Sequence, residues 1–105
     1  MVSASENDRL VWIDCEMTGL DLAADELVEI AVVVTDFELR PVDPGFQVVI
    51  RPSDAALDNM NDFVTKMHET SGLITEIPDG ISLAEAEEQT LAYIKRFAPL
   101  ERKAP

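Results

Sequence analysis

Residues 10–20, LVWIDCEMTGL, constrain the fold more than any other stretch. Leu10 to Cys15 reads as a strand that is apolar on both faces, a pattern that belongs in the centre of a sheet with a neighbour on each side. Gly19 ends it, and residues 21–26 (DLAADE) form a polar connection. A second strand follows from Leu27 to Thr35 (LVEIAVVVT), β-branched and almost continuous. Residues 36–44 contain two prolines and read as a turn region. A third strand, Gly45 to Arg51, alternates, with Phe46, Val48 and Ile50 on one face and Gln47, Val49 and Arg51 on the other. The short connection makes strands two and three an antiparallel pair.

Past Pro52 and Ser53 the period changes. From Asp54 to about Ser71, Leu57, Met60, Phe63, Val64 and Met67 fall at helical spacing, and Gly72 is a stop. Residues 77–81 (IPDGI) read as a loop. Ser82 to Glu85 fits a capping box that opens a second helix carrying Leu83, Ala86, Leu91, Ile94 and Phe97 and ending near Pro99. Glu85, Glu87 and Glu88 at its start and Lys95 and Arg96 at its end suit the helix dipole. Residues 1–8 are expected to be a disordered lead-in, residues 9–105 part of one domain, and residues 100–105 a tail without an element of its own. The order predicts an α/β fold of three strands followed by helices. The first strand then needs a second neighbour, parallel to it and reached by a right-handed crossover after the last helix.

Charge narrows the function. Eight Lys and Arg against 21 Asp and Glu give a net charge of −13. Such a chain does not hold a long polyanion by charge alone, because that takes arrays of cations. Any nucleic-acid substrate is therefore expected to be short, or its charge offset by metal ions or by basic residues from elsewhere. The single cysteine, Cys15, excludes an intrachain disulfide and is expected as a reduced, buried thiol. No stretch is long and apolar enough to span a bilayer, and residues 1–9 are polar, with Glu6 and Asp8, unlike a signal peptide. A cytoplasmic protein with no membrane partner is the expectation.

Side chains at i and i+2 of a strand share a face, about 6–7 Å apart. Asp14 and Glu16 therefore project together and Cys15 points away. Two carboxylates so close repel unless something positive lies between them. Hard oxygen donors suit Mg²⁺ or Mn²⁺ rather than zinc. Gly19 allows a sharp turn and a close backbone approach. On spacing alone, Asp-x-Glu is common and better describes a turn residue beside a solvated charge; the apolar strand ahead and Thr18-Gly19-Leu20 behind shift that balance. Acids between Asp58 and Glu69 do not make a calcium loop, since Met60 and Phe63 stand where oxygen ligands and glycine are required. The run Glu85-Ala86-Glu87-Glu88 is a solvated helix face.

Trp12-Ile13-Asp14-Cys15-Glu16-Met17-Thr18-Gly19-Leu20 resembles the first exonuclease motif of the oligoribonucleases, a branch of the DEDD exonuclease superfamily with a ribonuclease-H-like fold. The wider superfamily shows Asp-x-Glu-Thr-Thr-Gly, and the Glu-Met-Thr-Gly-Leu form points to this branch. Asn61-Asp62-Phe63, His68-Glu69-Thr70-Ser71-Gly72-Leu73 and Val28-Glu29-Ile30-Ala31 extend the resemblance over essentially all of the chain after residue 8. It implies a 3′-to-5′ exoribonuclease that degrades very short RNAs, chiefly dinucleotides, to 5′-mononucleotides by two-metal phosphodiester hydrolysis. By this resemblance Asp14 bridges two Mg²⁺ or Mn²⁺ ions and Glu16 binds one. The neighbourhood of Met17 and Thr18 meets the 3′-terminal nucleotide and Leu20 wedges between two bases. Phe63, where the family often has tryptophan, stacks on a base, a contact worth about 1–3 kcal/mol, and His68 lines the base pocket. The family form is a homodimer. Read without it, Leu20 is an ordinary core leucine, Phe63 packs in the core as readily as it stacks, and His68 is a surface or capping histidine. Glu29 is at most a carboxylate that supports the site.

The family also needs a third acid in a Gly-Asn-Ser-x-x-x-Asp context and a fourth acid with a general-base histidine in His-x-x-x-x-Asp. Neither motif occurs here, and His68 is the only histidine. The expectation is an incomplete ribonuclease-H-like exonuclease fold, its N-terminal half, inactive alone. The alternative is a non-catalytic remnant that only binds metal or associates with other chains. A proofreading-type DNA exonuclease is a weaker third reading.

Overall fold

The computed structural model describes residues 8–98. The expected lead-in before Asp8 and the tail after Ala98 lie outside the described residues. Three antiparallel strands form one sheet in the order β1-β2-β3: β1 (Arg9–Met17), β2 (Leu27–Asp36) and β3 (Phe46–Val49). Asp14 stands opposite Ala31 and Glu16 opposite Glu29, before a bulge shifts Met17 onto Leu27. β2 has the continuous apolar pattern for a reason: it is the central strand, bonded on both sides. Its residues Ile30, Val32 and Val34 are buried with Ile50 against Ala86, Ile94 and Ala98 of the long helix α4 (Leu83–Phe97) and its end. Phe46, Tyr93 and Phe97 extend this layer as a run of ring contacts.

α4 begins where Ser82 accepts a hydrogen bond from the Glu85 amide at 3.1 Å, a cap worth about 1 kcal/mol. The reciprocal half of the predicted box differs: Glu85 Oε1 accepts from the Ser82 hydroxyl at 3.3 Å. The buried stripe also differs from the prediction, running Ala86, Thr90 and Ile94, while Leu83 and Leu91 are exposed. That stripe has the four-residue step of a helix lying along β2, and its small residues let the helix approach the sheet.

Further along the same face of β2, Val28 forms a second buried cluster with Leu73 and Ile77, with Leu57, Val49 and Ile74 at its margin. The helical region expected over residues 54–71 is two helices, α1 (Asp54–Asp58) and α2 (Asp62–Ser71). Ser53 caps α1 through the Ala56 amide at 3.1 Å, and Asn61 caps α2 through the Val64 amide at 2.8 Å. A side-chain acceptor that satisfies an orphan amide starts a new helix, and the phase of the apolar stripe is reset at Asn61. Gly72 ends α2 at φ +86°, the left-handed cap that glycine favours. The chain turns directly into α3 (Leu73–Glu76) and a 3₁₀ turn, Ile77–Asp79, where a loop was expected.

Among the described residues β1 pairs with β2 alone and lies at the sheet edge, as expected where its second neighbour would follow the last helix. Val11, Trp12 and Ile13 are 36%, 51% and 55% exposed. α4 packs over β2 and β3, so β1 has an apolar composition without a layer above it. The Trp12 indole nevertheless donates to Thr35 Oγ1 at 3.0 Å, which fixes the ring on the neighbouring strand.

Candidate active site

The alternation of β1 puts Asp14 and Glu16 on one face, with Ala31 and Glu29 of β2 beside them. Asp14 is exposed and Glu16 partly buried. Glu29 accepts a hydrogen bond from the Gln47 amide group of β3, so a row of polar side chains crosses the sheet at this level. Glu16, Glu29, Gln47, His68 and Glu76 line a cavity of about 290 Å³. Like charges opposite one another on neighbouring strands are unfavourable, which favours a cation at this end of the sheet. The carboxylates offer hard oxygens, which suit a divalent cation. Among the described residues, however, no three His, Cys, Asp or Glu side chains converge on a point that could hold an ion. Asp14 and Glu16 thus fit a divalent cation in kind but supply only part of its shell, and no hydrolytic step follows from them alone.

α2 closes the end of β1. His68 is buried, and its Nε2 donates to the Met17 carbonyl at 2.8 Å, which assigns the proton to that nitrogen. His68 is therefore neither a surface nor a capping histidine: it ties a helix to the strand that carries the carboxylates. Met17, Gly19 and Leu20 face Val64 and Met67 of α2 across a second cavity of about 170 Å³. Leu20 itself is 97% exposed and Phe63 is 77% exposed, so neither packs in the core of the described residues. Phe63 and Met67 lie together with Lys66 in a broad apolar depression on the outer face of α2. The structure thus brings Glu16, Met17, Leu20 and His68 around one strand end, with Phe63 adjoining through Met67, and leaves Asp14 on the open face.

Thr18 is buried, and both its polar groups are engaged within the chain. Its hydroxyl donates to Asp25 Oδ1 at 2.8 Å and accepts from the Glu26 amide at 3.0 Å, and its own amide donates to the Glu26 carbonyl at 2.9 Å. A ligand at this point meets the turn rather than the Thr18 hydroxyl. Gly19 is required for a different reason from the one its turn position suggests. Its backbone is not in the left-handed region, which among the described glycines is occupied by Gly45 and Gly72. A Cβ there would instead lie 2.4 Å from Asp25 Oδ2.

Cys15 corrects the expectation of a buried thiol: it is exposed, because it points to the uncovered face of an edge strand. Partial shielding, and then the negative charges of Asp14 and Glu16, push its thiol above the ordinary value, so it is protonated at neutral pH.

In the sequence Asp25 and Glu26 stand out only as part of a polar connection. Glu26 accepts from the Ser53 amide at 2.8 Å and hydroxyl at 2.6 Å, first the hydroxyl and then the amide holding its carboxyl below the ordinary value. The pair joins the turn after β1 to the cap of α1. The only local signal was the spacing Asp21-Leu22-Ala23-Ala24-Asp25, in which Asp21 accepts from the Ala23 amide at 2.9 Å as in an Asx turn.

A strand that ends in Asp-x-Glu, a glycine turn and an antiparallel sheet backed by one long helix can be compared with known proteins. The RNase_T exonuclease family model matches residues 11–104. The chain belongs to this family. It is 70% identical over 102 residues to an oligoribonuclease of Leifsonia xyli subsp. xyli, covering 97% of this chain and 49% of that protein. It is 54% identical over 99 residues to an oligoribonuclease of Streptomyces griseus, covering 94% and 49% respectively. The chain therefore spans about half the length of the curated relatives it matches. Among solved structures, the nuclease domain of 3′hExo, a DEDDh family member bound to rAMP, superposes with a TM-score of 0.69 at 20% identity, over 96% of this chain and 50% of that one. A full-length 3′-exonuclease superposes with a TM-score of 0.67 at 19% identity, over 91% and 32%. These likenesses establish the fold as part of a ribonuclease-H-like exonuclease domain, an α/β architecture as the sequence pattern predicted.

Proposed function

We propose that this exonuclease-family chain is the N-terminal part of an oligoribonuclease. In this reading the complete site removes nucleotides from the 3′ end of very short RNAs in the cytoplasm and releases 5′-mononucleotides. The observation that carries the reading is the strand end itself: Asp14 and Glu16 on one face, followed by a pinned glycine turn that holds Leu20 almost fully in solvent. A leucine at that exposure, on a backbone fixed at both ends, is suited to insert between two stacked bases. Phe63 supplies an exposed ring for a base, and His68 holds Met17 and hence the strand end in place. Met17 and the Thr18 turn form the floor against the terminal nucleotide.

Asp14 and Glu16 would hold divalent cations together with ligands from outside these residues, and the ions when bound would activate water and steady the leaving oxygen. The net charge of −13 favours substrates with few phosphates. The β1 edge, open among the described residues, is the side that a further strand of the complete domain would take, and in residues 1–105 alone it invites self-association.

The test compares two polypeptides on an RNA dinucleotide with Mg²⁺ or Mn²⁺. Residues 1–105 alone should release no mononucleotide. The same residues continued by the C-terminal half of the Leifsonia xyli relative should release it, and should lose that activity in the Asp14→Ala variant. Release by the short chain, abolished by Asp14→Ala, would show that its own residues suffice. A chimera that folds but stays inert would overturn the assignment.

A further inference from the structure

We infer that Asp25 is a positioning residue that sets the substrate-length preference of this site by stapling the turn that carries Leu20; the inference rests on the function proposed above. The Asp25 carboxylate reaches both ends of the turn. Oδ1 accepts from the Thr18 hydroxyl at 2.8 Å, and Oδ2 accepts from the Asp21 amide at 2.9 Å. The Asp25 amide closes the same loop on the Asp21 carbonyl at 2.8 Å. Gly19 packs directly on the carboxylate, with no room for a methyl group. Leu20 sits between the two stapled points and touches little else, at 97% exposure.

An exposed apolar side chain on an unrestrained turn would lose contact area with its ligand to backbone motion, and ordering it on binding would cost affinity. The staple removes that cost beforehand. Its position also defines what it can affect. A wedge between two bases acts only on a ligand that has two bases, so Asp25 should matter for a dinucleotide and little for a mononucleotide. The neighbouring Glu26, bonded to Ser53 at the start of α1, anchors the staple to the body of the domain.

The experiment uses the polypeptide encoded by the whole reading frame that carries residues 1–105. Calorimetric titration with Mg²⁺ measures affinity for a phosphorothioate-linked adenosine dinucleotide and for adenosine 5′-monophosphate. Asp25→Asn, which keeps the size and loses one acceptor, and Leu20→Ala should each lower the dinucleotide-to-mononucleotide affinity ratio about tenfold. The double variant should be no worse than either single one, because Asp25 acts through Leu20. Asp25→Glu, which retains the charge but displaces both oxygens, should show the same loss, and it carries the test if Asp25→Asn does not fold. Equal losses for both ligands, or independent effects in the double variant, would overturn the positioning role. A parent protein that binds the mononucleotide but gains nothing from a second base would also overturn it. A parent that binds neither nucleotide at millimolar concentration would instead sink the functional reading on which it rests.

Discussion

Replacing Gly19 with alanine tests the turn by steric means alone. The new Cβ would lie 2.4 Å from Asp25 Oδ2, 2.7 Å from its Cγ and 2.9 Å from Oδ1, distances no real contact sustains. The backbone at Gly19 is outside the left-handed region, so alanine brings no φ penalty, and it lowers the entropy of the unfolded chain by about 0.4–1 kcal/mol in favour of folding. What must give is the Asp25 side chain. It is short, and it is held by the Thr18 hydroxyl at 2.8 Å and the Asp21 amide at 2.9 Å. Hydrogen bonds to a charged acceptor contribute about 1.5–3 kcal/mol each, with the lower end suited to the solvent-facing amide. The buried Thr18 hydroxyl still keeps the Glu26 amide as a partner, which limits its loss. The net cost of Gly19→Ala is then about 2 kcal/mol, a fall of roughly 8–16 °C in melting midpoint for a domain of this size. Thermal unfolding followed by circular dichroism measures it. The decisive comparison is the double variant Gly19→Ala/Asp25→Ala, which has no carboxylate to clash with and should be no less stable than Asp25→Ala alone. A Gly19→Ala protein that melts with the parent, or a double variant that loses the sum of both single effects, would refute the packing argument.

The remaining predictions concern other parts of the fold. Tyr93 donates to Asp43 Oδ2 at 2.7 Å, and burial, then that carboxylate, push its phenol from 10.0 up to about 12. Because the folded value lies above the unfolded one, this contribution is complete below about pH 10 and fades as pH climbs to about 12. Tyr93→Phe should therefore cost about 1 kcal/mol at neutral pH and flatten that alkaline decline in urea titrations, and an unchanged alkaline limb would count against the bond. Glu26, held low by Ser53, has the opposite sign: its contribution is present above the ordinary value of 4.5 and is lost as pH falls below it. Glu26→Gln should lower the urea midpoint at pH 7 but not at pH 3, and equal shifts at both would reject the linkage. Ile13 is 55% exposed on the edge strand, so Ile13→Lys should weaken concentration-dependent association in sedimentation experiments while changing stability by less than about 0.5 kcal/mol. Unaltered association would show that this face is not used.

Sequence by itself determined whatever depends on a few neighbouring residues. Ser82 and Gly72 bound their helices because a cap or a left-handed glycine satisfies groups within one turn. Asp14 and Glu16 share a face because a strand alternates whatever it packs against, and the antiparallel pairing of β2 with β3 follows from a connection too short for a crossover. The apolar run of β1 was legible as a strand beside β2 with its other edge open, but what lies over its faces was not. Composition records that a strand is suited to burial, whereas only the assembled layers decide that α4 covers β2 and β3 and leaves Val11 and Ile13 outside. Side-chain roles divide along the same line. Phe63 and His68 lie on one short helix, yet one faces solvent and the other is buried on the carbonyl of Met17, 51 positions earlier in the chain. The Asp25 staple needs two oxygens aimed at a hydroxyl and an amide, an arrangement set by how the turn folds back on β2. Periodicity carries directions along a backbone; it holds no distances between segments, and the candidate site is made of those distances.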